Sequence, residues 1–272
     1  MPATIAVLAQ KGGTGKTTAV RTLTDVFRRL GLRVLAVDLD PQGNLSDYLD
    51  VDPDASPTIG DVLAGRARAI DAIHNGIVPA NLGLAEAELM LGGKIGRELT
   101  LKKALGEVKH DYDLVLIDCP PALGLLTVNA LVAADYALLS AEAQYFAMQG
   151  VEQALEVIAL ARDSLNPKLE WLGVVLNIAD MRTRHSREAF DSLREHYGDK
   201  LIETTIRASI AYAESAERAV SILDYRPNLG ADYVALADEV LRRLGLHEPR
   251  GRLAGLSSNS PVASRSSPLS SS

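Results

Sequence analysis

The segment Lys11-Gly12-Gly13-Thr14-Gly15-Lys16-Thr17-Thr18, directly after the apolar run Thr4–Ala9, constrains this chain more than any other. It meets the phosphate-loop pattern G-x-x-x-x-G-K-[ST] except at the first glycine, where Gln10 stands, and it adds Lys11 five residues before Lys16. Apolar strand, glycines, lysine, hydroxyls and helix in that order describe a phosphate-binding turn rather than an ordinary tight one. The glycines let the backbone curl so that successive N–H groups converge on phosphate oxygens, at the positive end of the following helix. Lys16 is placed to reach β- and γ-phosphates, and the Thr17 hydroxyl is a natural Mg²⁺ ligand. Two lysines do not fit around the same phosphates in one chain, so Lys11 needs another explanation.

The helix after the loop is legible: Val20, Leu23, Val26, Phe27 and Leu30 recur at three- and four-residue spacings, and Gly31 ends it. Apolar runs at 3–9, 33–38, 113–118, 136–140, 172–177 and 201–206 read as strands. Helical patterns occupy 16–30, 98–109, 123–132, 149–164, 186–197 and 229–244. The strands are continuously hydrophobic rather than alternating, which predicts an α/β fold: a mostly parallel twisted sheet with helices on both faces. Residues 41–97 carry turn residues and short helical pieces, read as an elaborated surface region. With 272 residues, 47% of them apolar, the chain has enough apolar side chains for a sizeable core. The expected organisation is one domain over 1–248 and a tail over 249–272. From Ser257 to Ser272 nine of sixteen residues are serine, too polar to offset their ordering entropy.

A formal charge of −7 argues against an overall basic coat but allows a local basic face. The single cysteine, Cys119, excludes an internal disulfide framework and a CxxC site, and suits a reducing cytoplasm. No run is long enough to span a membrane, and the first strand begins at once, so neither a leader nor a membrane partner is expected.

Four further places bear on chemistry. Val37-Asp38-Leu39-Asp40-Pro41-Gln42-Gly43 ends the second strand with two acids at i and i+2, expected on one side of the strand at the edge where ligands bind. Asp40 there can orient an attacking water or hold Mg²⁺ through water, or both acids can cap the turn that Asp-Pro opens. Leu114-Val115-Leu116-Ile117-Asp118 has the form of a Walker B strand, whose terminal acid binds Mg²⁺ directly or through water. Cys119, with no base nearby, is read as packing. Asn177 closes another strand, where its amide suits either an adenine edge or a turn. The densest basic run, Arg182, Arg184 and Arg187, opens a helix; with Arg207, Arg218 and Arg226 it forms either a basic face or scattered solvated charges.

Together these residues resemble the deviant Walker A ATPases, and within them the ParA/Soj partitioning proteins. The resemblance spans residues 3–244 and rests on K-G-G-T-G-K-T-T, V-D-L-D-P-Q-G-N and L-V-L-I-D-C-P-P-A-L-G-L-L-T-V-N-A-L. Gln144-Tyr145-Phe146-Ala147 with Gly150, Arg182-Thr183, and Gly230-Ala231 with Tyr233 add to it. The family implies a slow ATPase whose cofactors are ATP and Mg²⁺. Its nucleotide is cradled by Lys11, Gly12, Gly13, Thr14, Gly15, Lys16, Thr17 and Thr18, with Asn177 and Arg207 near the base. Lys11 matches the signature lysine that crosses a nucleotide-sandwich homodimer to the partner's phosphates, Asp40 the residue needed for hydrolysis, and Thr17, Asp40 and Asp118 the metal-site groups. The ATP dimer in such proteins binds double-stranded DNA without sequence preference, and a ParB-like centromere-binding protein triggers release. This implies a cytoplasmic, nucleoid-associated protein.

The departure is at Ile206-Arg207-Ala208-Ser209-Ile210-Ala211-Tyr212-Ala213-Glu214-Ser215, where many Soj-like chains read I-P-R-N-V-R-L-S-E-A. A DNA-contacting arginine falls at Ala211 and the adenine-proximal proline at Arg207. No helix-turn-helix precedes the first strand, as in the short chromosomal type. The alternatives are an ATPase that positions a protein cargo on the nucleoid, and a MinD-like membrane-cycling ATPase. The latter needs a C-terminal basic amphipathic helix that the serine-rich tail does not supply.

Overall fold

The phosphate-loop segment joins β1 (Ala3–Leu8) to α1 (Lys16–Arg29), and both elements form where the apolar pattern places them. The computed structural model describes residues 2–144 and 147–257. β2 (Val34–Asp38), α2 (Asn44–Tyr48), α3 (Ile59–Ala64), β3 (Ile77–Val78), α4 (Gly83–Leu91) and α5 (Thr100–Gly106) follow. Then come β4 (Leu114–Asp118), α6 (Leu125–Ala133), β5 (Tyr136–Glu142), α7 (Ala147–Ser164), β6 (Glu170–Ala179), α8 (Arg184–Tyr197) and β7 (Leu201–Arg207). The C-terminal part is helical: α9 (Ala211–Glu217), α10 (Ile222–Tyr225), α11 (Pro227–Arg243), α12 (His247–Gly251) and α13 (Leu253–Ser257).

All strands join one parallel sheet in the order β3-β2-β4-β1-β5-β6-β7, as the continuous apolar runs predict. Successive side chains of β1 serve opposite faces. Ala6 and Leu8 pack into the core beneath α3 to α8, while Ile5 and Val7 pack with α1 and α11. β4 divides likewise, with Val115 and Ile117 on one side and Leu114 and Leu116 on the other. Two buried faces explain why no strand alternates. Register then fixes the working edge: Val7 and Asp38 both stand opposite Asp118, so the phosphate loop and two acids meet at the carboxyl ends of adjacent strands.

Three expectations change. Residues 41–97 are not mere surface elaboration, since Ile59, Leu63, Leu84 and Leu91 are fully buried and β3 extends the sheet. The second strand stops at Asp38, so Asp40 lies beyond it and the two acids do not share a strand face. The division after residue 248 falls inside α12. Arg250 pairs with Asp238 at 2.5 Å, Arg252 donates to the Leu30 carbonyl at 2.8 Å, and Leu253 is buried against α11, so the folded part runs on to Ser257. The rest of the serine-rich segment, 258–272, lies outside the described residues, as do Tyr145 and Phe146. No helix among the described residues is long and apolar enough to cross a membrane.

Candidate functional site

Gly13 (φ +79°) and Gly15 (φ +80°) turn the β1–α1 loop through left-handed backbone, which only glycine adopts without strain. The loop is braced from behind. Ser140 Oγ on β5 donates to the Thr14 carbonyl at 2.7 Å, and Asn177 Nδ2 on β6 donates to Ser140 Oγ at 2.6 Å. A Cβ on Gly15 would stand 3.2 Å from Asn177 Nδ2, so this position has neither the room nor the backbone conformation for a side chain. Asn177 thus serves the loop as a brace through one amide hydrogen. Its buried Oδ1 has no partner among the described residues, and the residue itself lines the cleft over the loop.

A cleft of about 770 Å³ opens over the loop, within the usual range for a small-molecule site. Gly12, Gly13, Gly15, Lys16, Thr17, Thr18, Asp40, Asn177 and Arg207 all line it. Residues that sequence reasoning missed line it too: Gln42, Asn44, Asp47 and Tyr48 from the α2 region, and Tyr212 and Glu217 from α9. Tyr212 had a signal, since it lies where the chain departs from the Soj pattern. Tyr48 had none.

Lys16 is buried and makes no ion pair among the described residues. Lys11 is the opposite: its side chain is 70% exposed and leans toward Glu142 at 3.8 Å. Lys11 and Thr14 line a separate cavity of about 210 Å³ toward β5 and α7, not the main cleft.

The three acids divide their work. Asp38 is fully buried and accepts from the Asp40 backbone (3.1 Å), the Ser46 backbone (2.9 Å) and Ser46 Oγ (2.8 Å). It holds the β2–α2 turn. Asp40 lines the cleft, and among the described residues its carboxylate accepts only the Gln42 N–H, at 3.0 Å, leaving its second oxygen for a ligand. Asp118 is buried and neither carboxylate oxygen has a completed hydrogen bond. Burial pushes its carboxyl well above the ordinary range and the nearby Asp38 adds to this, while the Thr17 hydroxyl and Lys16 ammonium pull it down. An orphaned buried carboxylate beside a threonine hydroxyl fits a Mg²⁺ site. No group of three or more His, Cys, Asp or Glu gathers among the described residues, so such an ion would draw its other ligands from phosphate and water, as Mg²⁺ commonly does. Cys119 is fully buried and its thiol is pushed up by burial, which fits packing.

This chain matches the AAA domain family over residues 2–171. It is 38% identical over 245 residues to the sporulation initiation inhibitor protein Soj of Bacillus subtilis, covering 87% of this chain and 97% of that protein. The chain belongs to the ParA/Soj family. The chromosome partitioning protein ParA of Caulobacter vibrioides is 36% identical over 250 residues, covering 88% of this chain and 94% of that protein. Among solved structures, a cobyrinic acid a,c-diamide synthase from Mycobacterium smegmatis with bound ATP analogue and magnesium is 35% identical. It superposes with a TM-score of 0.79 over 90% of this chain and 96% of that one. The fold is thus the P-loop architecture of ParA-type ATPases.

The six arginines considered for a basic surface fall into three places. Arg182 forms a bidentate pair with Asp180 at 2.9 Å, and Arg184 pairs with Glu188 at 2.6 Å. Arg187 donates to the carbonyls of Met181 and Arg182. Arg207 is pinned by Asp232 at 2.8 Å and by the Asn228 carbonyl. Arg218 and Arg226 flank the Tyr225 ring at 5.2 and 4.8 Å and pair with no carboxylate among the described residues. Arg187, Arg218 and Arg226 are thus the three of the six whose charge no carboxylate among the described residues offsets, the last two at the ends of α9 and α10.

Proposed function

We propose that this protein is an ATP-driven partitioning switch. Two ATP-bound copies form a sandwich dimer, the dimer holds double-stranded DNA without sequence preference, and slow hydrolysis releases it. The observation that carries this reading is the division between the two loop lysines. Lys16 is buried at its own phosphate site, while Lys11 projects into solvent beside the cleft, free to reach phosphates that another copy holds. Membership of the ParA/Soj family supports it independently.

In the bound state the loop N–H groups and Lys16 offset the β- and γ-phosphate charge. Thr17 and Asp118 would hold Mg²⁺, which would neutralise the charge that develops on phosphoryl transfer. The free oxygen of Asp40 orients the attacking water. The partner that hastens hydrolysis is a centromere-binding protein of the ParB kind, and the site of action is the nucleoid in the cytoplasm. Arg218 and Arg226, with Arg182, Arg184, Arg187 and Arg207 as secondary groups, supply the DNA-facing charge.

Retention of unrelated DNA duplexes by wild type with ATP, with ADP and without nucleotide tests this reading. It predicts retention with ATP alone. ATP dimers that ignore every duplex would move the function to a protein cargo. ATP turnover with neither dimer nor DNA binding would favour a solitary synthetase of the kind the Mycobacterium smegmatis neighbour is named for.

A further inference from the structure

Three of the eight tyrosines, Tyr48, Tyr212 and Tyr233, line the one cleft in a chain that is only 4% aromatic. Tyr48 also lines a neighbouring hollow of about 410 Å³, and Arg21 lines that hollow but not the cleft. Tyr48 thus borders both spaces, and the Arg21 guanidinium, which borders only the hollow, lies 4.4 Å from the ring centroid. Arg21 is itself immobilised, 7% exposed and donating to Ser215 Oγ at 3.2 Å, the Ser215 carbonyl at 3.2 Å and the Val220 carbonyl at 2.9 Å. It follows Thr17 by four residues, about 6 Å along α1. Tyr48 and Tyr212 line the same cleft as Lys16, Thr17 and Thr18, and so border the space left for the rest of a nucleotide whose phosphates that loop holds. Tyr212 packs edge-on against Tyr233 at 5.8 Å, and its hydroxyl is buried with no partner. A buried hydroxyl without a partner in a ligand cleft points to a bond made only when the ligand is bound.

We propose that Tyr48 and Tyr212 form the nucleoside end of this site, with the Tyr48 ring as the stacking wall for a purine base and the Tyr212 hydroxyl as a hydrogen-bond partner of the nucleoside. Arg21 is a positioning residue: a guanidinium fixed behind the ring holds its plane by cation–π attraction. The inference rests on the nucleotide reading of the cleft, and it assigns recognition to side chains that touch no phosphate.

Binding of Mg²⁺-ATP and of inorganic tripolyphosphate to the full chain separates the two ends of the site. Tyr48→Phe keeps the ring and is expected to bind ATP like wild type. Tyr48→Ala is expected to lose about tenfold in ATP affinity, the order of one base–aromatic stack. Arg21→Lys and Tyr212→Phe are expected to lose several-fold, with tripolyphosphate binding unchanged in all four variants. The inference is overturned if Tyr48→Ala binds ATP as wild type does, or if it loses ATP and tripolyphosphate by the same factor. Wild type that binds tripolyphosphate as tightly as ATP would remove the nucleoside end alone. Wild type that binds neither would remove the reading of the cleft itself.

Discussion

Lys11 and Lys16 share one loop but stand in opposite environments. Lys16 is 6% exposed and lies in the cleft, whereas the Lys11 side chain is 70% exposed and its only ion-pair partner among the described residues is Glu142 at 3.8 Å. An exposed pair of that kind contributes little, about 0–1 kcal/mol, so Lys11 is readily released for another partner. On the proposed reading, the loop carries one cation for its own phosphates and a second for those of another copy.

Lys16→Ala removes the buried counter-charge. ATP affinity should fall by about ten- to a hundredfold, matching the ~1.5–3 kcal/mol of a hydrogen bond to a charged group. Equilibrium binding measures this directly, and an undiminished affinity would place the phosphates elsewhere.

Asp40→Ala should leave ATP affinity near wild type and slow turnover by at least about tenfold, because the attacking water loses its orienting carboxylate. Single-turnover hydrolysis is the measurement. Asp38 should not substitute for it, since the Asp40 backbone and Ser46 occupy its oxygens. Wild-type turnover in the Asp40 variant would assign the role to another group.

Ser140→Ala removes the hydroxyl between Thr14 and Asn177 and leaves the buried Asn177 side chain without a partner among the described residues. We expect a loss of about 1–3 kcal/mol in unfolding free energy. ATP affinity should fall as well, because the loop loses its brace from β5. Denaturant unfolding and nucleotide binding on the same variant check both, and unchanged stability would show that the bridge is dispensable.

The central strands were legible because they are continuous apolar runs, and the phosphate loop because its residue types are fixed by backbone geometry. What escaped has physical reasons. Ile77–Val78 is too short to carry a period, and α9 starts without an apolar stripe. α3 did carry a readable signal, the Thr58–Asp61 capping box. Asp38 and Asp40 looked equivalent because sequence does not show that the strand stops between them. Arg21 reads as a polar-face residue until α9 folds over it, through contacts 194 residues away in the chain. Local pairing likewise hides from sequence: Arg182 looks free, yet Asp180 sits two residues before it.

That pairing ranks the basic residues. Arg218→Glu and Arg226→Glu should weaken ATP-dependent DNA binding more than Arg182→Glu, because Asp180 already offsets the Arg182 charge. Each lost phosphate contact should flatten the slope of log affinity against log salt by about 0.9 on duplex DNA. The loss should be uniform across unrelated sequences. Binding titrations at several salt concentrations give the slopes. Equal slopes for the Arg218 and Arg226 variants and wild type would remove α9–α10 from the DNA surface.

The trans-acting role of Lys11 is tested most directly by sedimentation of wild type and Lys11→Ala with saturating Mg²⁺-ATP, each also titrated for ATP affinity. The account predicts that wild type sediments as a dimer with ATP and as a monomer without it. Lys11→Ala should remain monomeric while binding ATP within about threefold of wild type, since its exposed side chain adds little within one chain. A Lys11→Ala protein that dimerises with ATP as wild type does would contradict it.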